Sequence, residues 1–380
     1  MGREYHISSL RIQNFKCFED FTMDNIGQFN LIVGANNTGK TSLLEALLMN
    51  QGNGDEFLYD SLVARIGNGK EQLWKQFDFI TRQKNDKHLE EKIQFEAIVA
   101  DDDKQVYTLD SLDINQIRQK KDLYEWLLKL YGESVATSSS KQRWIARTHF
   151  DGRMEEKFQN SFGLTRFDEM EPSEKRSLRS PFIRSSQLYG AELTELFSLI
   201  QKSKEAEKKF IESLSVIVPS IDQIRIDLDE GVMIWLNESD GKPQNAPIPL
   251  YMFGEGTVRL FRILAKLFVS DLLDGSQILI IDEVDFGIHD GALPKFWEQL
   301  ILLAKQADVQ LFMTTHSFRS VEAFWNTFNS LKIIEYGIDS SSARHFILQR
   351  DKDGIPRSYS LPHSHLGHAI ENDNNFMGYS

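Results

Sequence analysis

The chain has 380 residues, with 43 Lys and Arg against 56 Asp and Glu and a formal net charge of −13. That balance argues against a basic surface over the whole protein, while leaving room for a local one. The single cysteine, Cys17, excludes an intrachain disulfide framework or a Cys-rich zinc site; no apolar run reaches the roughly 18 residues that span a membrane, so a soluble, cytoplasmic protein is expected.

Residues His6–Gln13 alternate in polarity and predict a strand, with Cys17 a small buried side chain just after it. Phe29–Val33 is a short apolar run that reads as a buried strand, and Thr41–Met49 predicts a helix. Residues 91–100 and 105–109 alternate like an antiparallel hairpin, and 114–131 read as a charged helix. Ser138-Ser139-Ser140 marks a link into a stretch, 138–186, that is locally basic within the acidic chain. Its Lys141, Arg143, Arg147, Lys175, Arg176, Arg179 and Arg184 read either as a docking surface or as a solvated face. Pro181–Arg184 predicts a short strand, 191–215 a long amphipathic helix, and 222–236 two strands around Glu230-Gly231. Helix 257–273, apolar strand 277–281, another helix and apolar strand Val309–Thr314 follow. The segments HFILQR and IPRSYSL predict a hairpin that turns at Asp351–Gly354. Apolar strands that alternate with helices imply a parallel sheet buried on both faces, an α/β fold.

Three segments carry chemistry. Gly34-Ala35-Asn36-Asn37-Thr38-Gly39-Lys40-Thr41 is a complete G-x-x-x-x-G-K-[ST] loop between an apolar strand and a helix, with Ser42 next in the helix. Its backbone N–H groups and the helix N-terminus suit an anion, Lys40 the β- and γ-phosphates, and the Thr41 hydroxyl Mg²⁺. The strand 278–281 delivers Asp282 and Glu283 at its C-terminal end. Alternation sends the two carboxylates in different directions, so Asp282 suits the metal's shell and Glu283 a general base toward water. The strand ending at Thr314 delivers Thr315-His316-Ser317, and His316 is placed to bond a γ-phosphate. No Ser/His/Asp triad, zinc spacing or nuclease active site is read in the chain.

The opening Leu10-Arg-Ile-Gln-Asn14-Phe15-Lys16-Cys-Phe18, the loop Gly34–Thr41, Gly254-Glu255-Gly256-Thr257, Ile281-Asp282-Glu283, Gly287-Ile288-His289 and Thr315-His316-Ser317 together resemble the solitary ABC-type ATPases of the RecF, OLD, Rad50 and SMC class. The resemblance covers both ends of the chain and is weak across 110–215. It implies an ABC-type P-loop NTPase head with a mixed sheet and a helical insertion. Residues 1–110 would form the N-terminal part of the head, 111–220 a helical insertion or lid, and 221–380 the C-terminal part. It also implies that Gly254, Glu255 and Gly256 contact nucleotide bound to a partner copy, with Met252 or Phe253 where the family has its serine. The resemblance further places Gly287–Asp290 at an interface loop, makes Gln187 a candidate Mg²⁺ ligand and sets Lys16 toward a phosphate, where the residues alone fit an exposed lysine at a strand end nearly as well. The implied cofactors are ATP and Mg²⁺. The expected function is an ATP-hydrolysing switch that closes as a homodimer around ATP and controls a separately encoded nuclease or toxin, in antiviral defence.

Two other readings stand beside this one. A RecF-like DNA repair ATPase would use the basic stretch to bind duplex DNA, making nucleic acid a candidate partner. A scaffold or toxin inhibitor would hold nucleotide with little turnover; Lys40, Glu283 and His316 argue against it.

Overall fold

The computed structural model describes residues 6–49, 93–99, 104–113, 143–151, 160–166, 181–183, 190–237, 246–273, 278–371 and 377. Strands β1 (Ile7–Phe15), β2 (Phe18–Met23), β4 (Ile93–Val99), β5 (Lys104–Asp113), β6 (Arg143–Asp151) and β7 (Asn160–Arg166) form one antiparallel sheet in the order β2-β1-β4-β5-β6-β7. A second sheet orders β15 (Pro356–Pro362), β14 (Ala343–Arg350), β3 (Phe29–Val33), β13 (Gln310–Thr314), β12 (Ile278–Ile281) and β8 (Phe182–Ile183). Within it β14, β3, β13, β12 and β8 run parallel, and β15 returns antiparallel at the edge. A small third sheet joins β9 (Ile221–Asp227), β10 (Gly231–Leu236) and β11 (Ile248–Pro249).

The period of two along each strand explains the layering. Ile32, Ile278, Ile280 and Phe312 point to one face of the parallel sheet, where helix α1 (Lys40–Met49) and the inner face of β1, β2 and β4 cover them. Leu31, Val33, Leu279, Ile281, Leu311 and Met313 point to the other. There they meet α4 (Glu255–Leu273), α5 (Leu293–Gln306) and α6 (Phe318–Phe328). Because both faces are covered, these strands read as continuous apolar runs. α1 lies between two sheets, and Leu43 through Met49 are all buried, as a helix apolar on all sides requires. Gln310 ties the two sheets by exchanging hydrogen bonds with the backbone of Ile7, and the buried Asn30 exchanges them with the backbone of Gly27 just before β3.

The expected helix over 191–215 is two helices, α2 (Gly190–Ile200) and α3 (Lys204–Ser215), broken where the Ser203 hydroxyl caps α3 by accepting from the Ala206 N–H. Phe197 of α2, Phe210 of α3 and Phe261 and Phe268 of α4 form one aromatic cluster with centroids 5.0–5.7 Å apart. The expected helical insertion over 111–220 is corrected in part: residues 143–151 and 160–166 are strands that extend the antiparallel sheet. Charge hid the period of two in Arg143-Trp-Ile-Ala-Arg-Thr-His-Phe-Asp151. Lys141, Lys175, Arg176, Arg179 and Arg184 lie outside the described residues. Among the described residues no helix is long and apolar enough to cross a membrane.

A buried ionic lock joins α2 to α4. Glu192 accepts from Arg262 at 2.9 Å and from Lys266 at 2.8 Å, with all three residues at most 5% exposed. Burial pushes the Lys266 ammonium down to about 8, against the pull of Glu192. Glu192→Ala leaves these cations without their shared carboxylate, so a loss of about 3–5 kcal/mol is expected. The urea unfolding midpoint measures it, and a midpoint equal to the parent's would remove the lock from the account.

The short α7 (Leu331–Glu335) follows α6, and α8 (His363–Glu371) closes against it. His363 is buried against Trp325 and Phe328, and among the described residues neither ring nitrogen has a hydrogen-bond partner. Burial lowers its pKa to about 4. The unfolded chain therefore takes up this proton first. The stability is complete above about pH 6.5 and is lost as pH falls toward 4. Between pH 7 and 5 the loss expected from this one group is about 2 kcal/mol. His363→Phe should flatten that part of the pH–stability curve, and an unaltered slope would assign the acid sensitivity elsewhere.

Candidate active site

Parallel strands deliver their C-terminal ends to one edge of the sheet, and ligands collect there. β3 ends in the Gly34–Gly39 loop, β12 in Asp282-Glu283, β13 in Thr315-His316 and β14 at Arg350. The β1–β2 turn adds Lys16 and Cys17 from the other sheet. These ends enclose a cavity of about 650 Å³ lined by Lys16, Cys17, Asn36, Asn37, Gly39, Lys40, Thr41, Ser42, Asp282, Glu283, His316 and Arg350.

The loop is shaped by its own bonds. Asn37 adopts φ +63°, and Gly39 φ +106°. A Cβ on Gly39 would stand 2.8 Å from Cys17 Sγ, so only glycine lets the loop pass under the β1–β2 turn. Thr38 turns its hydroxyl inward, donating to the Ala35 carbonyl at 2.9 Å; neither Thr38 nor Gly34 lines the cavity. Lys40 curls back to donate to the carbonyls of Gly34 at 2.7 Å and Ala35 at 2.8 Å. Burial lowers its pKa to about 8, with Asp282 and Glu283 pulling the other way.

The carboxylates are set by a threonine that the sequence reading passed over. Thr314 donates to Asp282 Oδ1 at 2.7 Å and accepts the Glu283 N–H at 2.8 Å. Thr41 donates to the second oxygen of Asp282 at 3.4 Å. Glu283 has φ +50°, an uncommon conformation for a side-chain-bearing residue. Arg259 of α4, nearly buried, donates to the carbonyls of both Asp282 and Glu283. The strained residue is thus bonded at its N–H and its C=O. His316 Nε2 lies 3.9 Å from Glu283 Oε1. Burial, then the Lys40 charge, hold this imidazole below its ordinary pKa, against the pull of Glu283, which favours the neutral form near pH 7. Burial also pushes the nearby Asp285 carboxyl up, opposed by a hydrogen bond from Thr315.

Lys16 reaches the cavity in a left-handed conformation, φ +51°, with its ammonium ion-paired to the buried Glu45 of α1. Arg350, absent from the sequence reading, donates twice to the Asn37 carbonyl, at 3.2 and 2.9 Å, and once to Gly354 at 2.6 Å. It pins the β14–β15 turn to the phosphate loop. Gly254, Glu255 and Gly256 stand outside this cavity, at the start of α4. A Cβ on Gly256 would overlap the Gly287 carbonyl, so the two loops touch backbone to backbone. Gln187 lies outside the described residues.

One strand, β13, separates the loop-bearing β3 from the carboxylate-bearing β12, the strand order of an ABC-type P-loop ATPase head. The chain belongs to the family described as "AAA domain, putative AbiEii toxin, Type IV TA system", whose model matches residues 29–321. It is similar to an "ATP/GTP phosphatase" of Helicobacter pylori, 23% identical over 393 positions that cover 98% of this chain and 100% of that protein. An uncharacterized protein of Methanocaldococcus jannaschii is 32% identical over 95 residues, 23% of this chain and 41% of that one. Among solved structures, an SMC head bound to the C-winged helix domain of ScpA matches at 14% identity and TM-score 0.47, covering 94% of this chain and 98% of that chain. The SMC head domain from Thermotoga maritima matches at 11% identity and TM-score 0.43, with the same coverage.

Proposed function

We propose that the chain binds ATP in this cavity, hydrolyses it to ADP and phosphate, and uses the cycle to switch between an open form and a closed homodimer. The observation that carries the reading is the convergence of Lys40, Thr41, Asp282, Glu283 and His316 on one cavity from the first turn of α1 and the ends of β12 and β13. The phosphatase name of the Helicobacter pylori relative agrees with it. Entry of the triphosphate would draw the Lys40 ammonium from the loop carbonyls onto the β- and γ-phosphates. The Thr41 hydroxyl facing the Asp282 carboxylate is a pair of hard oxygen donors of the kind Mg²⁺ takes. Mg²⁺ bound there would neutralise charge on the phosphate oxygens. Glu283 takes a proton from the attacking water, and His316, neutral, hydrogen-bonds the γ-phosphate.

Gly254–Gly256 lies outside the chain's own cavity, which supports its use on the nucleotide of a second copy through a two-fold interface. The family description names a "putative AbiEii toxin" of a type IV toxin–antitoxin system, and we extend the proposal to control of a separate toxin or nuclease in antiviral defence. Sedimentation with and without ATP and Mg²⁺, alongside phosphate release, tests the cycle. A rise to twice the chain mass with ATP, reversed as phosphate appears, is expected; a mass indifferent to ATP counts against the closure, and absent phosphate release against the chemistry.

A further inference from the structure

A second cavity, about 990 Å³, opens beside the Gly254–Gly256 segment, between α2, the β9–β10 hairpin, the 250–252 turn and the first turns of α4. Part of its wall is apolar, formed by Leu193, Ile226, Val232, Leu250, Phe253 and Val258. At its rim Leu228 is wholly exposed and Tyr251 about two-thirds exposed, and Met252, as exposed as Tyr251, continues the apolar surface beyond it. Solvating such groups side by side is unfavourable, and patches of this kind mark interaction sites. Five carboxylates, Glu195, Asp227, Asp229, Glu230 and Glu255, line the same cavity. Among the described lining residues Arg259 is the one cation, and it donates to the carbonyls of Asp282 and Glu283. The hairpin is held in shape, since Asp227 accepts the N–H groups of Asp229 and Glu230 and Tyr251 donates to Glu230.

We propose that this cavity docks a basic, amphipathic peptide segment of a partner protein. An apolar side chain fills the interior, and flanking lysines or arginines meet the carboxylates. The acidic lining disfavours nucleic acid and anionic membranes, and the exposed apolar area of Leu228, Tyr251 and Met252 exceeds what a small cation would cover. Arg259 links the cavity to the catalytic loop. Arg259 is at once a wall of the cavity and the donor that holds the Glu283 backbone at φ +50°. Docking therefore changes the position of the carboxylate next to His316; this coupling, unlike the docking itself, rests on the ATPase reading.

The test uses the full chain without nucleotide and a fluorescent peptide that alternates lysine with leucine and phenylalanine. Fluorescence anisotropy should show saturable binding. An equally charged peptide with serine in place of the apolar residues, and an apolar peptide with glutamate in place of lysine, should each bind at least tenfold more weakly. Reversing the exposed turn with Asp229→Lys and Glu230→Lys should weaken binding at least tenfold. Ser198→Trp, which fills the cavity from α2, should do the same. Because the chain is acidic overall, Glu335→Lys with Asp353→Lys supplies the same charge change at remote exposed sites, and should weaken binding less than twofold. No binding to the parent, or equal losses for the cavity and remote variants, overturns the proposal. Added peptide should also shift the rate of phosphate release severalfold; binding with an unchanged rate would keep the site and overturn its coupling to Glu283. A parent that releases no phosphate would count against the ATPase reading alone, because anisotropy needs no turnover.

Discussion

Lys40→Ala is expected to lower ATP affinity by at least about 100-fold. The ammonium is the one lysine head group inside the phosphate loop, and two charge-assisted contacts to phosphate at about 1.5–3 kcal/mol each support a loss of that size. In the nucleotide-free chain the same group is buried and, among the described residues, is bonded only to the carbonyls of Gly34 and Ala35. Its removal relieves a desolvated cation, so the variant should stay folded, and circular dichroism with a thermal melt separates a binding defect from a folding one. The lowered pKa of about 8 adds a pH signature. Below pH 8 the ammonium is already charged and affinity is flat. Above pH 8 binding must first restore the proton, so affinity falls as pH rises, by up to about tenfold per unit. Calorimetric titration at pH 7 and pH 9 reads both effects. Parent-like affinity in Lys40→Ala would refute the phosphate-loop assignment; a flat pH profile would refute the role given to its proton.

Glu283→Gln should leave ATP affinity within about threefold of the parent while turnover falls about 10²–10⁴-fold, the usual range for a lost general base. The amide preserves size and shape, and the backbone that aims the side chain is held independently. Thr314 accepts the Glu283 N–H, and Arg259 donates to its carbonyl. The φ of +50° at this position is therefore retained in the variant. With chemistry stopped, ATP should hold the closed pair, so the variant's sedimentation in ATP should differ from the parent's by a persistent dimer. Phosphate release at the parent rate would show that water is activated by another group, and His316, 3.9 Å away, would be the next to test.

Some of this was written in runs of neighbouring residues. Phe29–Val33, Ile278–Ile281 and Gln310–Thr314 are short stretches whose two faces are both buried, so their continuous apolarity survives in the sequence as a local signal. The phosphate loop, the Asp282-Glu283 pair and His316 sit directly at the ends of those runs, which is why strand pattern and motif located the cavity together. The hairpin at Asp351–Gly354 was equally local: Asp351 accepts from the N–H groups of Asp353 and Ile355 within a few residues.

Other features have no such local signature. β6 and β7 carry charge where a buried strand would not, and their identity comes from pairing, β6 with β5 and β7 with β6, rather than from their own hydrophobicity. The break between α2 and α3 depends on a single serine cap inside an otherwise continuous helical pattern. Arg350 meets Asn37 across 313 positions, and Thr314 meets Asp282 across 32. Neither Arg259 nor the acid-lined cavity beside it follows from any motif, because each depends on which helix face the core turns toward the sheet edge. The sequence by itself determined a P-loop α/β head and the residues at its strand ends, since burial on both faces and the backbone demands of the loop act over a few residues. Only the tertiary structure decided how Glu283 is held and what stands next to it, because hydrogen bonds and charges between distant segments take effect only once packing has brought them within about 3 Å.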